Sequence, residues 1–227
     1  MTPLVTDSHV DVTGLFGDTI AAAFGCGEVL AQTIGGLGRG GRHGRGQVLY
    51  PLPDREETSL LLEGLAQEAA YGREGGVLVL HQFGPGDFYG SLVGQGGDGQ
   101  VEALSDGQAL HYGEDTMLRL MDSYGAVAVA IARQLSQRLA AMRQRMVEAT
   151  LLTATGRICA ELLRLSRQSD DGVIRPLPVL AELAQRVQST RETASRTVSQ
   201  LERRGIIQRG DGELAVIAPH RLEEMIY

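Results

Sequence analysis

Arg191, Glu192, Ser195, Arg196 and Ser199 fall at steps that place all five on one helical face, with Thr190 immediately ahead of them. A guanidinium donates two parallel N–H bonds to guanine O6 and N7 or to a phosphate. A carboxylate accepts from cytosine N4, and a hydroxyl serves either kind of partner. A face with this composition can read polar base edges, whereas most charge runs are simply solvated.

The flanking sequence supplies what such a face needs to be held. Residues 181–187 form a short helix with Leu183, Ala184 and Val187 inward, and Gln188-Ser189-Thr190 makes a tight turn. A second helix spans 191–204, capped by Thr190 at its start and by Gly205 at its end, with Ala194, Val198 and Leu201 on its inner face. Ile206-Ile207 and residues 214–217, joined by a turn at 209–212, read as two strands of a wing.

The chain of 227 residues is long enough for two small domains, and its net charge of −7 is unevenly spread. Residues 151–227 hold 11 Arg against 10 acidic residues, while residues 1–150 hold 10 Arg against 18. The acidity therefore belongs to the amino-terminal part, and all 21 cations are Arg. No apolar run approaches the roughly 20 residues of a membrane span, and the amino terminus lacks a signal pattern, so the expected location is the cytoplasm without membrane association. Cys26 and Cys159 lie too far apart in sequence for a CxxC pair and read as small buried apolar residues. No nucleophile–base pair or metal-spaced cluster stands out, so an enzyme and a metal site are not expected.

Upstream, short apolar runs at 47–50, 59–62, 77–81, 88–89 and 108–112 alternate with turn signals, including Pro85-Gly86-Asp87. That spacing predicts a small antiparallel roll. The glycine-rich piece 94–99 lacks the Lys and Ser/Thr of a phosphate loop and reads as a hairpin end. Before the roll, a short helix near 19–24 is followed by a glycine-rich loop. After it, Ala128, Ile131, Leu135, Leu139, Met142, Met146 and Ala149 form a continuous stripe on a helix of about 26 residues, opened by Ser123 as a cap. Ile131, Leu135, Leu139, Met142 and Met146 are the expected homodimer contacts, because the roll alone cannot cover so long an apolar face. Another helix spans 156–165. The expected architecture is α+β: a roll at 1–112, a dimerisation helix at 113–150 and a winged helix-turn-helix at 151–227.

The segment 183–207, and most specifically Arg191-Glu-Thr-Ala-Ser-Arg196, resembles the helix-turn-helix of the cyclic AMP receptor protein and fumarate/nitrate-reduction regulator (CRP/FNR) superfamily. The resemblance extends through Thr155-Gly-Arg-Ile158 to the strand-turn-strand signature at 83–90. It implies a homodimeric transcription regulator on double-stranded DNA, with RNA polymerase as a further partner. It also implies that Glu192 accepts from cytosine, Arg196 grips guanine, Ser195 touches a neighbouring base or phosphate, and Arg191 meets guanine or the backbone, flanked by Thr190 and Ser199. An adaptor that keeps the winged helix for protein contacts is the alternative from another class.

In members of that superfamily that bind cyclic AMP, a Glu after the roll's Gly grips the ribose and a following Arg neutralises the phosphate. Here Ser91 follows Gly90, and no Arg or Lys occurs between Arg73 and Arg119. Gly90, Ser91 and Leu92, with Met142 and Arg143 from the long helix, are the expected effector pocket, and conventionally bound cyclic AMP is not expected in it. Two cysteines are too few for an iron–sulfur cluster. Haem would need an axial ligand from Cys26, His43, His81 or His111. The effector, if there is one, is otherwise unassigned, as is any cofactor.

Overall fold

The computed structural model describes residues 12–51, 56–72, 77–92 and 99–226. They form two compact units, 1–140 and 141–227, and the division falls inside one long helix. The piece at 94–99 lies, apart from Gly99, outside the described residues.

In the first unit two helices, α1 (Val12–Phe24) and α2 (Glu28–Leu37), precede eight strands. The strands are β1 (Arg39–His43), β2 (Val48–Tyr50), β3 (Glu57–Glu63), β4 (Ala66–Tyr71), β5 (Val77–Phe83), β6 (Phe88–Gly90), β7 (Gln100–Ala103) and β8 (Gly107–Gly113). They pair antiparallel in two four-stranded sheets, β1-β8-β3-β6 and β2-β7-β4-β5. Between the sheets lie Leu61, Phe83, Tyr89, Val101 and Ala109. Leu60, Leu62, Phe88 and Leu110 face the other way, against Ile20, Phe24, Ile34, Met117 and Ile131. Both faces of β3 are thus buried, which is why its sequence is a continuous apolar run rather than an alternating one.

The glycine-rich segment expected as a loop holds α2 and β1 instead. Gly38 shows why glycine is needed: a Cβ there would sit 2.9 Å from the Tyr112 ring. β1 pairs antiparallel with β8, with Gly40 and Gly41 opposite Leu110 and Ala109.

The roll is followed by α3 (Glu114–Ser123) and α4 (Gly125–Leu151), the latter of 27 residues. Ser123 ends α3 rather than capping α4, whose start is marked by Val127 N–H donating to Tyr124 O at 2.9 Å.

In the second unit, α5 (Ala154–Ser166) opens on Thr153, whose hydroxyl accepts from Gly156 N–H. After it come β9 (Val173–Ile174), α6 (Leu180–Arg186), α7 (Arg191–Arg203), β10 (Ile207–Arg209), β11 (Leu214–Val216) and α8 (Pro219–Glu223). The wing is three-stranded, in the order β10-β11-β9, and one strand more than expected is supplied by β9. Ile158, Leu162, Leu183, Val198, Leu201, Ile206 and Leu222 build one core. Glu161, almost fully buried, is paired with Arg164 and lies 3.6 Å from Arg186, and Arg164 also reaches Glu148 on α4 at 2.6 Å. These pairs tie α4's last turns, α5 and α6 together.

Candidate nucleic-acid interface

The turn between α6 and α7 decides how α7 is presented. Val179 caps α6 without a side-chain hydrogen bond, as its lack of a hydroxyl requires. Gln188 has φ +51, the one non-glycine residue in the left-handed region among the described residues. Ser189 N–H donates to Ala184 O at 2.8 Å, closing the end of α6. The Thr190 hydroxyl then accepts from Thr193 N–H at 3.1 Å and satisfies one of the free donors of α7's first turn.

Ala194, Thr197, Val198 and Leu201 form the buried face of α7. Arg191, Glu192 and Arg196 are exposed on its other side, while Ser195 and Ser199 are half-buried beside them. Thr190, Arg191, Glu192, Ser195, Arg196 and Ser199 are therefore brought together on one accessible patch. Arg196 forms an ion pair with Glu192 one turn earlier; their side chains are 71% and 80% exposed. A pair so exposed is worth only about 0–1 kcal/mol. Each base contact is worth about 1–3 kcal/mol, so both groups can be redirected to bases at a net gain.

A cavity of about 400 Å³ lies in the first unit, lined in part by Thr58, Tyr89, Gly90, Ser91 and Leu92. Its α4 wall is Ile131, Gln134, Leu135 and Arg138. Met142 and Arg143 are not on that wall. Met142 lies one turn, about 6 Å, further along α4 than Arg138, within the second unit. The α4 guanidinium at the cavity is Arg138 rather than the expected Arg143. Its signal in the sequence was the i, i+4 pair of polar residues beside the apolar stripe.

Gln134 and Arg138 hold the outer edge of β6. Gln134 Oε1 accepts from Phe88 N–H at 3.1 Å, Gln134 Nε2 donates to Gly86 O at 2.8 Å, and Arg138 donates to Phe88 O. The guanidinium also lies over the Phe83 ring, 5.0 Å from its centroid. Burial lowers its proton affinity, and the charges of Asp87 and Glu68 restore part of it.

The expected dimer residues do not share one environment. Ile131 is 3% exposed and belongs to the core of its own unit, so it is withdrawn from the outer stripe. Leu135, Leu139, Met142 and Met146 are 49%, 60%, 53% and 73% exposed and continue along α4.

None of the four candidate haem ligands lines the cavity. His111 Nδ1 is bonded to Ser59 Oγ at 2.8 Å, and His81 packs edge-on to Phe83. His43 is buried and Cys26 half-buried, each away from that wall. That cavity offers haem no axial ligand from these four residues. Burial pushes the Cys159 thiol up to about 11, which leaves it an unreactive core residue. Among the described residues no His, Cys, Asp or Glu cluster could hold a metal ion, and no single helix is long and apolar enough to cross a membrane.

Comparison with known proteins settles the family. A model of the Crp-like helix-turn-helix domain matches residues 156–225. Transcriptional regulator SdrP of Thermus thermophilus is 30% identical over 186 residues, which span 78% of this chain and 89% of that protein. The crystal structure of a CRP/FNR-family transcriptional regulator from Thermus thermophilus is 28% identical, with TM-score 0.64 over 83% of this chain and 98% of the other. The chain belongs to the CRP/FNR family of transcription regulators. A structure of a CooA mutant from Carboxydothermus hydrogenoformans shares the fold, with TM-score 0.77 at 17% identity over 86% of the regulator and 90% of CooA. The family is one of regulators and not of enzymes, and α6, the turn and α7 lie within the matched helix-turn-helix domain, its DNA-binding part.

Proposed function

We propose that this regulator acts in the cytoplasm as a homodimer that reads a pseudo-palindromic DNA site through α7. The observation that carries the reading is the accessible patch of Arg191, Glu192, Ser195, Arg196 and Ser199 on a helix whose other face is buried. Glu192 accepts from cytosine N4 and Arg196 donates to guanine O6 and N7 in a TGA-containing half-site. Arg191 meets guanine or the backbone, and Ser195, Ser199 and Thr190 complete the contacts near it. Leu135, Leu139, Met142 and Met146 join two copies through α4, and RNA polymerase is the further partner.

Cyclic AMP gripped in the usual manner is not the effector. Ser91 follows Gly90, and the cavity's guanidinium, Arg138, already donates to Phe88 O and faces Asp87 and Glu68. A cyclic phosphate would have to compete with the Phe88 carbonyl for this guanidinium and would face the nearby charges of Asp87 and Glu68, so part of its desolvation would go uncompensated. The regulator works with a different ligand or with none.

Selection of bound duplexes from a random pool tests the reading of α7. The wild-type chain is expected to enrich one inverted motif, and Arg196→Ala to lose preference at its guanine while retaining the rest. The same enriched motif from both proteins would refute the assignment. Calorimetric titration with cyclic AMP is expected to show no low-micromolar binding; such binding, coupled to tighter DNA binding, would overturn the statement about the effector.

A further inference from the structure

Arg157 lies in the first turn of α5, yet its guanidinium donates to main-chain carbonyls at the ends of two other helices. Nη1 donates to Leu152 O at 2.9 Å, directly after α4 ends. Nε donates to Val187 O at 2.8 Å and Nη2 to Gln188 O at 3.0 Å, at the end of α6 and in the turn that follows it. Carbonyls at helix C-termini lack partners further along the helix and carry the negative end of its dipole. One planar cation thus caps α4 and α6 together, which a Lys ammonium, with no fork of fixed N–H groups, does less well. The turn it holds contains Gln188 at φ +51 and leads directly into the Thr190 cap of α7.

We infer that Arg157 is a positioning residue for DNA reading. By fixing the Val187 and Gln188 carbonyls against Leu152, it sets the turn, and with it the angle at which Arg191, Glu192, Ser195 and Arg196 meet the groove. The end of α4 and the presentation of α7 are thereby joined through one side chain. This inference rests on the reading of α7 proposed above.

The test compares the full-length wild-type chain with Arg157→Gln and Arg157→Lys on two duplexes at one salt concentration: the wild-type chain's selected site and a scrambled sequence. Phosphate contacts supply the non-specific affinity and base contacts the difference, so a shift in presentation lowers the ratio and spares the scrambled duplex. For Arg157→Gln the ratio is expected to fall about tenfold or more, with non-specific affinity within roughly twofold of wild type; Arg157→Lys recovers part of the loss. A ratio unchanged in Arg157→Gln overturns the inference. Equal losses on both duplexes from a variant that circular dichroism shows to be folded also overturn it, because they report a uniform contribution to affinity rather than lost orientation. If circular dichroism shows Arg157→Gln unfolded, Arg157→Lys decides: a reduced ratio with intact non-specific binding supports the role, and an unchanged ratio refutes it. A wild-type chain that does not discriminate between the duplexes overturns the reading of α7 itself, an outcome distinct from any produced by the variants.

Discussion

At the scale of single residues, Gln188 is where local strain and function meet. A side chain held in the left-handed region costs about 1–2 kcal/mol, and a glycine there gives back part of that gain through about 0.5–1 kcal/mol of backbone entropy. Gln188→Gly is therefore expected to stabilise the regulator by up to about 1 kcal/mol, read as a modestly higher thermal midpoint; a lower midpoint would contradict the strain argument. In the proposed reading Arg191 meets guanine or the backbone, and a backbone contact has its own signature. Arg191→Ala is expected to weaken binding to selected and scrambled duplexes alike and to reduce the salt slope by about 1. The residues of α7 were legible in the sequence because a recognition helix leaves its polar side chains unpacked and in periodic order. Arg138 was not, because what places it in the cavity is the meeting of α4 with β6, two segments about 50 residues apart. Arg157 was visible only as part of a resembling motif, since carbonyl acceptors have no signature in side-chain sequence.

At the scale of elements, periodicity predicted α4 through α7 and the strands whose side chains are large and apolar. It missed β1, β4, β7 and β9. β1 is Arg-Gly-Gly-Arg-His, and β4 carries only Ala on its inner face, at Ala66 and Ala69, so neither contrasts with a loop. Ile131 was misassigned for a related reason: one apolar stripe runs along α4, but its early residues face their own core and its later ones face outward. The outward part predicts a defined disruption. Leu135→Asp with Leu139→Asp is expected to sediment as a monomer and to lose specific DNA binding, whereas unchanged sedimentation would rule the interface out. The roll also carries a pH dependence. Burial lowers the proton affinity of His43 below the ordinary imidazole value near 6.5, partly opposed by Asp106 and Glu63. The folded roll then binds this proton less readily than the unfolded chain, so its stability is full above about pH 6.5 and declines as the pH falls toward the lowered folded value. Thermal unfolding between pH 7.5 and 5 checks this: His43→Gln is expected to flatten the profile, and an identical slope in wild type and variant would contradict it.

At the scale of the whole molecule, the proposed dimer gives both the accessible α7 and the exposed apolar face of α4 a role. A single recognition helix reads only a few base pairs, whereas two related by a two-fold axis enter successive major grooves about 34 Å apart. The amino-terminal acidity is compatible with this, because the DNA-binding part of the sequence is close to neutral and all its cations are Arg. The most direct measurement is a hydroxyl-radical footprint on the selected duplex, taken together with native mass spectrometry of the complex. Two protected patches on one DNA face, about one helical turn apart in inverted orientation and with two chains per duplex, are the expected result; a single patch, a direct repeat, or one chain per duplex would contradict it.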